Sequence, residues 1–444
     1  MNVTNLLRFL SKTALRLPVF VCVAALTLSS ASPLYSSNGK GSQDNPTPVV
    51  LFPGMFGSQL LATVDNQTSF HECPSSGTFL VFAGDFSTFS SACQMKLITL
   101  VYDPDPRRPM PQRFSSHPGV TVTMVAYGNT ESAPLYGEYG IGFYQALEAA
   151  GYQRNVNIRV AGYDSRLAPD MGGFLEQTVA LIEQTYHDNG NTRVHLVGHS
   201  NGPVYAQYLL THTSQQWKNK YIQGFTPLAG NFAGSGRMYS NFFTSYETDP
   251  ELAKLSVAMW LSWPAAYMSV PDPKVIGNKE VVIRDLSTGK SYTPKDYRQL
   301  FRDAGLDDWL EVAKYYIGFV EFATPRWFPY VDVYAEVGDG LPTGVGVEVT
   351  SLQTVQLLTY GDPTPWIIVP GDSMMAYLNS SAVTLWQKMH CYHFEFNNNT
   401  FDAVSNPFVD HFFLPVAPDV MGRLLQHLQQ PASSCRPRNM SNEE

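Results

Sequence analysis

Charged side chains are scarce: Asp, Glu, Lys and Arg make up only 15% of the 444 residues, and 29 Lys plus Arg face 38 Asp plus Glu, a formal charge of −9. No long basic run offsets that balance, which argues against a nucleic-acid partner, because phosphate binding needs clustered positive charge. Cysteine is scarcer still, with five in the chain, and neither a C-x-x-C nor an H-E-x-x-H spacing occurs. Neither a metal site nor a cofactor is therefore expected. No internal repeat is visible. Apolar residues, by contrast, reach 44%, with 26 Phe, 24 Tyr and 7 Trp. That composition buries a substantial core and excludes a wholly disordered chain. The 33 Gly and 31 Pro are spread along the chain and read as turns. The length fits one large domain or roughly two to three modest ones.

At the amino terminus Arg8, Lys12 and Arg16 precede the apolar stretch Leu17–Leu28, and Ser29-Ser30-Ala31 supplies small residues for cleavage. The pattern reads as a signal peptide over 1–31. The stretch falls short of the roughly 20 residues a spanning helix needs, which weighs against the rival reading, a retained signal anchor. Removing it takes away three positive charges and no negative ones, leaving 26 against 38, or −12. Cys22 leaves with the leader, so Cys73, Cys93, Cys391 and Cys435 remain, an even number suited to an oxidising compartment. Of the three possible pairings, Cys73–Cys93 with Cys391–Cys435 is preferred. Sequons at Asn66, Asn379, Asn398 and Asn439 fit glycosylation in the same secretory route, to a secreted or a lysosomal or endosomal destination.

Residues 32–46 are rich in Ser, Gly and Asn and read as a linker. Pro48–Phe52 is too short for a helix, ends at Pro53-Gly54, and reads as a strand. Further strands are expected at Val156–Ala161, Arg193–Val197, Gly224–Leu228, Val331–Val337 and Trp366–Val369. Leu175, Val179, Ile182 and Tyr186 fall on one helical face, and Val204–Leu210 reads as another helix. Strand, helix, strand, turn, helix is the order of an α/β protein with a largely parallel sheet. The aromatic- and Pro-rich stretch 231–330 breaks the alternation and reads as an inserted cap, with an amphipathic piece around Tyr297–Tyr316. Within it, residues 231–246 carry Phe232, Met238, Tyr239, Phe242 and Phe243 among Gly and Ser, and read as a mobile lid.

Residues 198–202 are Gly-His-Ser-Asn-Gly, between an expected strand and an expected helix. A serine hydroxyl is a weak nucleophile and has to protrude to where a histidine can take its proton. A strained turn achieves that, and its tightness demands small residues at Gly198 and Gly202, while Pro203 suits the first helical turn. Ser200 is the candidate nucleophile. Acyl transfer also needs N–H donors facing the developing oxyanion. The Asn201 amide is one candidate, and the Met55 amide, in the turn Phe52-Pro53-Gly54-Met55-Phe56-Gly57, is the other.

At these residues the chain resembles the lecithin–cholesterol acyltransferase family, which includes lysosomal phospholipase A2 transacylases. The resemblance rests on PVVLFPGMFGSQLLA at 48–62, GYDSRLAP at 162–169, HLVGHSNG at 195–202, VDVY at 331–334, and Cys73 and Cys93 placed after the first strand. It implies an α/β-hydrolase fold with a cap or lid insertion and a small membrane-binding excursion. Core segments are then expected at 47–230 and 331–431, an excursion at 66–115 within the first, the cap and lid at 231–330, and a tail at 432–444. It also implies transfer of a fatty acyl group from a phospholipid to water or a lipid hydroxyl, at a membrane or lipid-particle surface.

In an α/β hydrolase the acid and then the histidine follow the serine. Asp372, in Pro370-Gly371-Asp372-Ser373 after an apolar run, matches the family's Gly-Asp, although Met374-Met375 stand where the family has Thr-Val. Asp339 in Val337-Gly338-Asp339-Gly340 is the rival. His411, ahead of a carboxy-terminal helix bearing Val420, Leu424 and Leu428, is the candidate base. His390 and His393 flank Cys391, His427 lies in that helix, and His199 reads as a packing residue turned away from the nucleophile. Between Cys73 and Cys93 lie Phe79, Leu80, Val81, Phe82, Phe86 and Phe89, which either pack on the core or dip into a lipid interface. The first four are the candidate lipid contacts. The rival functions are a neutral lipase or carboxylesterase on the same fold, and a non-catalytic lipid carrier with a decayed site.

Overall fold

The computed structural model describes residues 46–65, 70–82, 91–137, 141–321, 328–359, 362–363, 365–374 and 401–429. The expected leader, nearly all of the linker, Phe86, Phe89, Cys391 and Cys435 lie outside these residues. So do His390, His393, the four sequon asparagines (Asn66, Asn379, Asn398 and Asn439) and the tail.

Six parallel strands make the central sheet, in the spatial order Phe401–Pro407, Val333–Asp339, Ile222–Leu228, Val194–His199, Val49–Phe52, Ile158–Val160. Val49–Phe52 and Val194–His199 are buried at every position. Both faces are covered, which is why these strands show no polar alternation in sequence. Chain order reverses between Val49–Phe52 and Val194–His199, so their carboxyl ends flank the topological switch point where open α/β sheets hold ligands. Helix Phe174–Asp188 buries Phe174, Thr178, Leu181, Ile182 and Thr185. Leu175, Val179 and Tyr186 are only partly buried at its flank. The stripe differs from the apolar spacing because Thr178 and Thr185 donate back to the Phe174 and Leu181 carbonyls, both at 2.7 Å, and so bury as satisfied groups.

Three expectations are corrected. Trp366–Gly371 is a strand but not of the central sheet: it closes a separate four-stranded sheet with Lys290–Tyr292, Ile283–Asp285 and Leu341–Val349. The cap therefore does not end at 330, since strands Leu341–Val349 and Trp366–Gly371 pair with it. Glycines allow this close fit: a Cβ at Gly346 would stand 2.2 Å from the Val281 carbonyl oxygen, and one at Gly344 2.7 Å from the Trp366 ring. Residues 231–246 form a buried wedge rather than a surface lid, with Phe232, Tyr239, Phe242 and Phe243 all in the core. Gly236 seats it, because a Cβ there would lie 1.6 Å from the Val345 carbonyl oxygen. The expected amphipathic piece at Tyr297–Tyr316 is two helices, Tyr297–Asp303 and Leu310–Tyr316, folded against each other.

Within the expected excursion, strand Gly77–Phe82 joins the flanking strands Leu60–Val64 and Val120–Met124 in a three-stranded antiparallel sheet. Cys73 is bonded to Cys93. Val81, at the irregularity where the pairing of Gly77–Phe82 with Leu60–Val64 shifts register, is fully buried and cannot meet a lipid surface, the third correction. Phe79 and Leu80 are half-buried, and the Phe82 side chain lies outside the described residues. Cys93 is itself fully buried on helix Ser91–Ile98, so the bond fastens the excursion to the core. Breaking a loop closure of 20 residues is expected to cost roughly 3 kcal/mol. Thermal unfolding of the Cys73→Ser/Cys93→Ser variant should show the matching fall in midpoint.

Candidate active site

The nucleophile segment has the strained shape that its spacing requires. Ser200 has φ +60°, in the left-handed region that a non-glycine residue occupies only when its surroundings over-determine it. The fixing bonds are Ser200 N–H to the Leu228 carbonyl at 3.0 Å and Asn231 N–H to the Ser200 carbonyl at 2.8 Å. The flanking glycines are steric necessities: a Cβ at Gly198 would come within 2.7 Å of Pro203 N, and one at Gly202 within 2.0 Å of the Phe52 carbonyl oxygen. Helix Gly202–His212 starts immediately, with Pro203 in its first turn.

Facing it is the turn after Val49–Phe52. Its amides are taken up one by one: Gly54 N–H donates to Tyr136 Oη at 2.5 Å, Phe56 N–H to Ser165 Oγ at 3.0 Å, and Gly57 N–H to the Gly54 carbonyl at 2.9 Å. Among the described residues, the Met55 N–H has no hydrogen-bond partner, and neither has the Asn201 N–H. Those are the two donors expected to serve an oxyanion. The Asn201 side chain is held by Asn231 Nδ2 and Ser269 Oγ, which donate to its Oδ1 at 3.2 and 3.1 Å.

Asp372 and His411 come together. Asp372 is fully buried and His411 nearly so. His411 Nδ1 lies 2.8 Å from Asp372 Oδ2, and the His411 N–H donates to the Asp372 carbonyl at 2.8 Å. Met374 N–H donates to Asp372 Oδ1 at 3.0 Å, so the unusual methionine still serves the carboxylate through its backbone. The topology explains how a residue so far along the chain reaches the sheet. Strand Val333–Asp339 runs straight into Leu341–Val349, whose partner Trp366–Gly371 returns antiparallel with Leu341 opposite Gly371. The strand pair thus ends where it began, and Asp372 sits over Gly338. A Cβ at Gly338 would stand 2.5 Å from Asp372 Cβ and 3.0 Å from the Val409 carbonyl oxygen. Gly338→Ala is expected to lower kcat on the order of 10- to 100-fold with little change in KM, because the carboxylate has to move away from the imidazole. Steady-state kinetics beside a thermal melt checks this.

The rival acid lies elsewhere. Asp339 Oδ1 accepts the Gly340 N–H at 2.6 Å, closing its own turn, and is not paired with His411. His427 stacks on Tyr334 with ring centres 3.8 Å apart. His199 is not mere packing: its ring meets Tyr136 Oη at Nδ1 and the His411 carbonyl at Nε2, each at 3.0 Å.

Sequence reasoning missed Tyr136, Ser165 and an ion pair between the buried Glu336 and the half-buried Arg423. Arg423 Nε and Nη2 donate to the two Glu336 oxygens at 2.6 and 2.7 Å, and Asn406 Nδ2 adds a bond at 2.8 Å. The pair locks strand Val333–Asp339 to the last helix, Pro418–Gln429, and so holds the acid and base loops in register. A lone Glu within an apolar strand was the available signal; Tyr136 left none.

The chain is similar to several known proteins. The family model described as lecithin:cholesterol acyltransferase matches residues 86–267. The phosphatidylcholine-sterol acyltransferase of Gallus gallus is 25% identical over 374 residues, covering 77% of this chain and 84% of that protein. The lysosomal phospholipase A and acyltransferase of Mus musculus is 30% identical over 316 residues, covering 67% and 73%. Among solved structures, the Tle4-Tli4 complex has a TM-score of 0.45 at 13% identity, covering 87% of this chain and 99% of that one.

Proposed function

The chain belongs to the lecithin:cholesterol acyltransferase family, and from that membership we propose that it is a serine-dependent O-acyltransferase and phospholipase A. The observations that support the mechanism are the Asp372–His411 pair, the strained Ser200 turn, and Met55 and Asn201 amides that are unengaged among the described residues. Asp372 accepts from His411 Nδ1–H and so leaves Nε2 as the acceptor for the Ser200 proton. Ser200 Oγ attacks the phospholipid ester carbonyl, and the Met55 and Asn201 N–H groups receive the oxyanion. The tetrahedral adduct collapses by expelling the lysophospholipid oxygen, which takes the proton from His411. Acyl-Ser200 then passes its acyl group to water or to a lipid alcohol, with His411 removing the acceptor's proton.

The intact hydrogen bonding of Asp372 argues against a decayed carrier site. Half-buried Phe79 and Leu80 are the proposed contacts to a lipid surface. The Cys73–Cys93 bond favours an oxidising, secretory-pathway lumen.

Acceptor choice is the test. Water is present at roughly 55 M, so transfer needs an oriented alcohol with a large effective concentration. Vesicles of labelled phospholipid, incubated with increasing long-chain alcohol or sterol, should yield ester at the expense of free fatty acid while phospholipid consumption stays nearly constant. Free fatty acid alone at every alcohol level would make the protein a hydrolase only.

A further inference from the structure

Behind the nucleophile, one hydrogen-bonded chain runs from the oxyanion turn to the base loop. It passes from Gly54 N–H to Tyr136 Oη at 2.5 Å, on to His199 Nδ1 at 3.0 Å, and from His199 Nε2 to the His411 carbonyl at 3.0 Å. Donor directions follow from chemistry. A carbonyl only accepts, so Nε2 carries the hydrogen; a neutral imidazole then offers Nδ1 as acceptor, and Tyr136 donates to it while its oxygen takes the Gly54 N–H. Tyr136, His199 and His411 are each no more than 2% exposed. Burial, and secondarily the neighbouring His411, pushes the His199 imidazole well below its ordinary range, so it stays neutral. The junction is tight: a Cβ at Gly54 would meet Ser200 Cβ at 3.0 Å, Tyr136 Oη at 3.2 Å and His199 Nδ1 at 3.5 Å.

We infer that Tyr136 and His199 are positioning residues that act as a single relay, fixing the turn that presents the Met55 N–H against the backbone of His411. They set the rate of acyl transfer without touching the acyl group. Both ends of the relay have to be placed together, because the transition state engages the oxyanion donor and the base at once. The relay is a property of this chain's own contacts, and it rests on the catalytic reading of Ser200 and His411 given above.

Three variants of the full-length protein test it on a short, water-soluble p-nitrophenyl ester. Tyr136→Phe removes only the hydroxyl; His199→Leu removes both ring contacts; His199→Gln keeps a neutral donor and acceptor. Tyr136→Phe and His199→Leu are expected to lose kcat by about 10- to 100-fold with KM within about threefold, and the Gln variant to recover part of that loss. The double variant Tyr136→Phe/His199→Leu should be no worse than its poorer parent, since one broken link already opens the relay. Multiplying losses in the double variant, or wild-type kcat in Tyr136→Phe, would overturn the relay. Should His199→Leu not fold, Tyr136→Phe against His199→Gln still decides. A fluorophosphonate probe separates the two levels. Labelling of Ser200 in the wild type with an unaltered rate in Tyr136→Phe overturns the relay alone, whereas no labelling of the folded wild type overturns the catalytic reading beneath it.

Discussion

Ser200→Ala is expected to reduce acyl release from phospholipid on the order of 10³-fold or more while the protein stays folded. Triad members act as a unit, so removing the nucleophile alone forfeits nearly everything the other members contribute. The backbone reasons for the elbow do not involve the hydroxyl: its shape is fixed by the bonds to Leu228 and Asn231 and by the contacts at Gly198 and Gly202. Circular dichroism and thermal unfolding should therefore be close to wild type. KM is expected to change little, because the hydroxyl of one side chain adds little ground-state binding. A Ser200→Ala protein that is folded and retains a tenth of the activity would require another nucleophile.

Asp372→Asn is the second large effect, expected on the order of 10³- to 10⁴-fold in kcat. An amide in place of the carboxylate can donate to His411 Nδ1, which fixes the tautomer with hydrogen on Nε2 and removes the acceptor Ser200 needs. The imidazolium formed during attack also loses its counter-charge, in a site where Asp372 is fully buried. Asp339→Asn, by contrast, should keep activity within about threefold, since an amide oxygen can still receive the Gly340 N–H. Parallel kinetics on the two variants is the check. Loss in Asp339→Asn with retention in Asp372→Asn would reverse the assignment of the acid.

The elbow was the most legible part of the chain, because its chemistry is local. Gly-His-Ser-Asn-Gly between a β-rich run and a helical run states strand, strained turn and helix within a few residues, and the observed contacts of Gly198 and Gly202 are of that same short range. Strands such as Val49–Phe52 and Val194–His199 were legible for the same reason, as apolar runs too short for helices. What a strand pairs with is another matter. Trp366–Gly371 looks like any core strand, and its place in the cap sheet is decided by the glycines of a different strand, 344 and 346. Burial of the 231–246 wedge was hidden similarly. Aromatics among Gly and Ser suggest a loop, whereas the glycines are there to let backbone meet backbone. The His199 relay could not be read at all, since Tyr136 precedes it by 63 residues and carries no motif.

Every step of the proposed reaction passes through acyl-Ser200. A phospholipid-like fluorophosphonate, incubated with the folded wild-type protein and followed by peptide mass spectrometry, traps the serine that attacks. The expected result is one modified peptide, covering residues 194–212, with the adduct on Ser200 and its formation lost in Ser200→Ala and strongly slowed in Asp372→Asn. An adduct on a different residue, or none while phospholipid is still being consumed, would contradict Ser200 as the nucleophile.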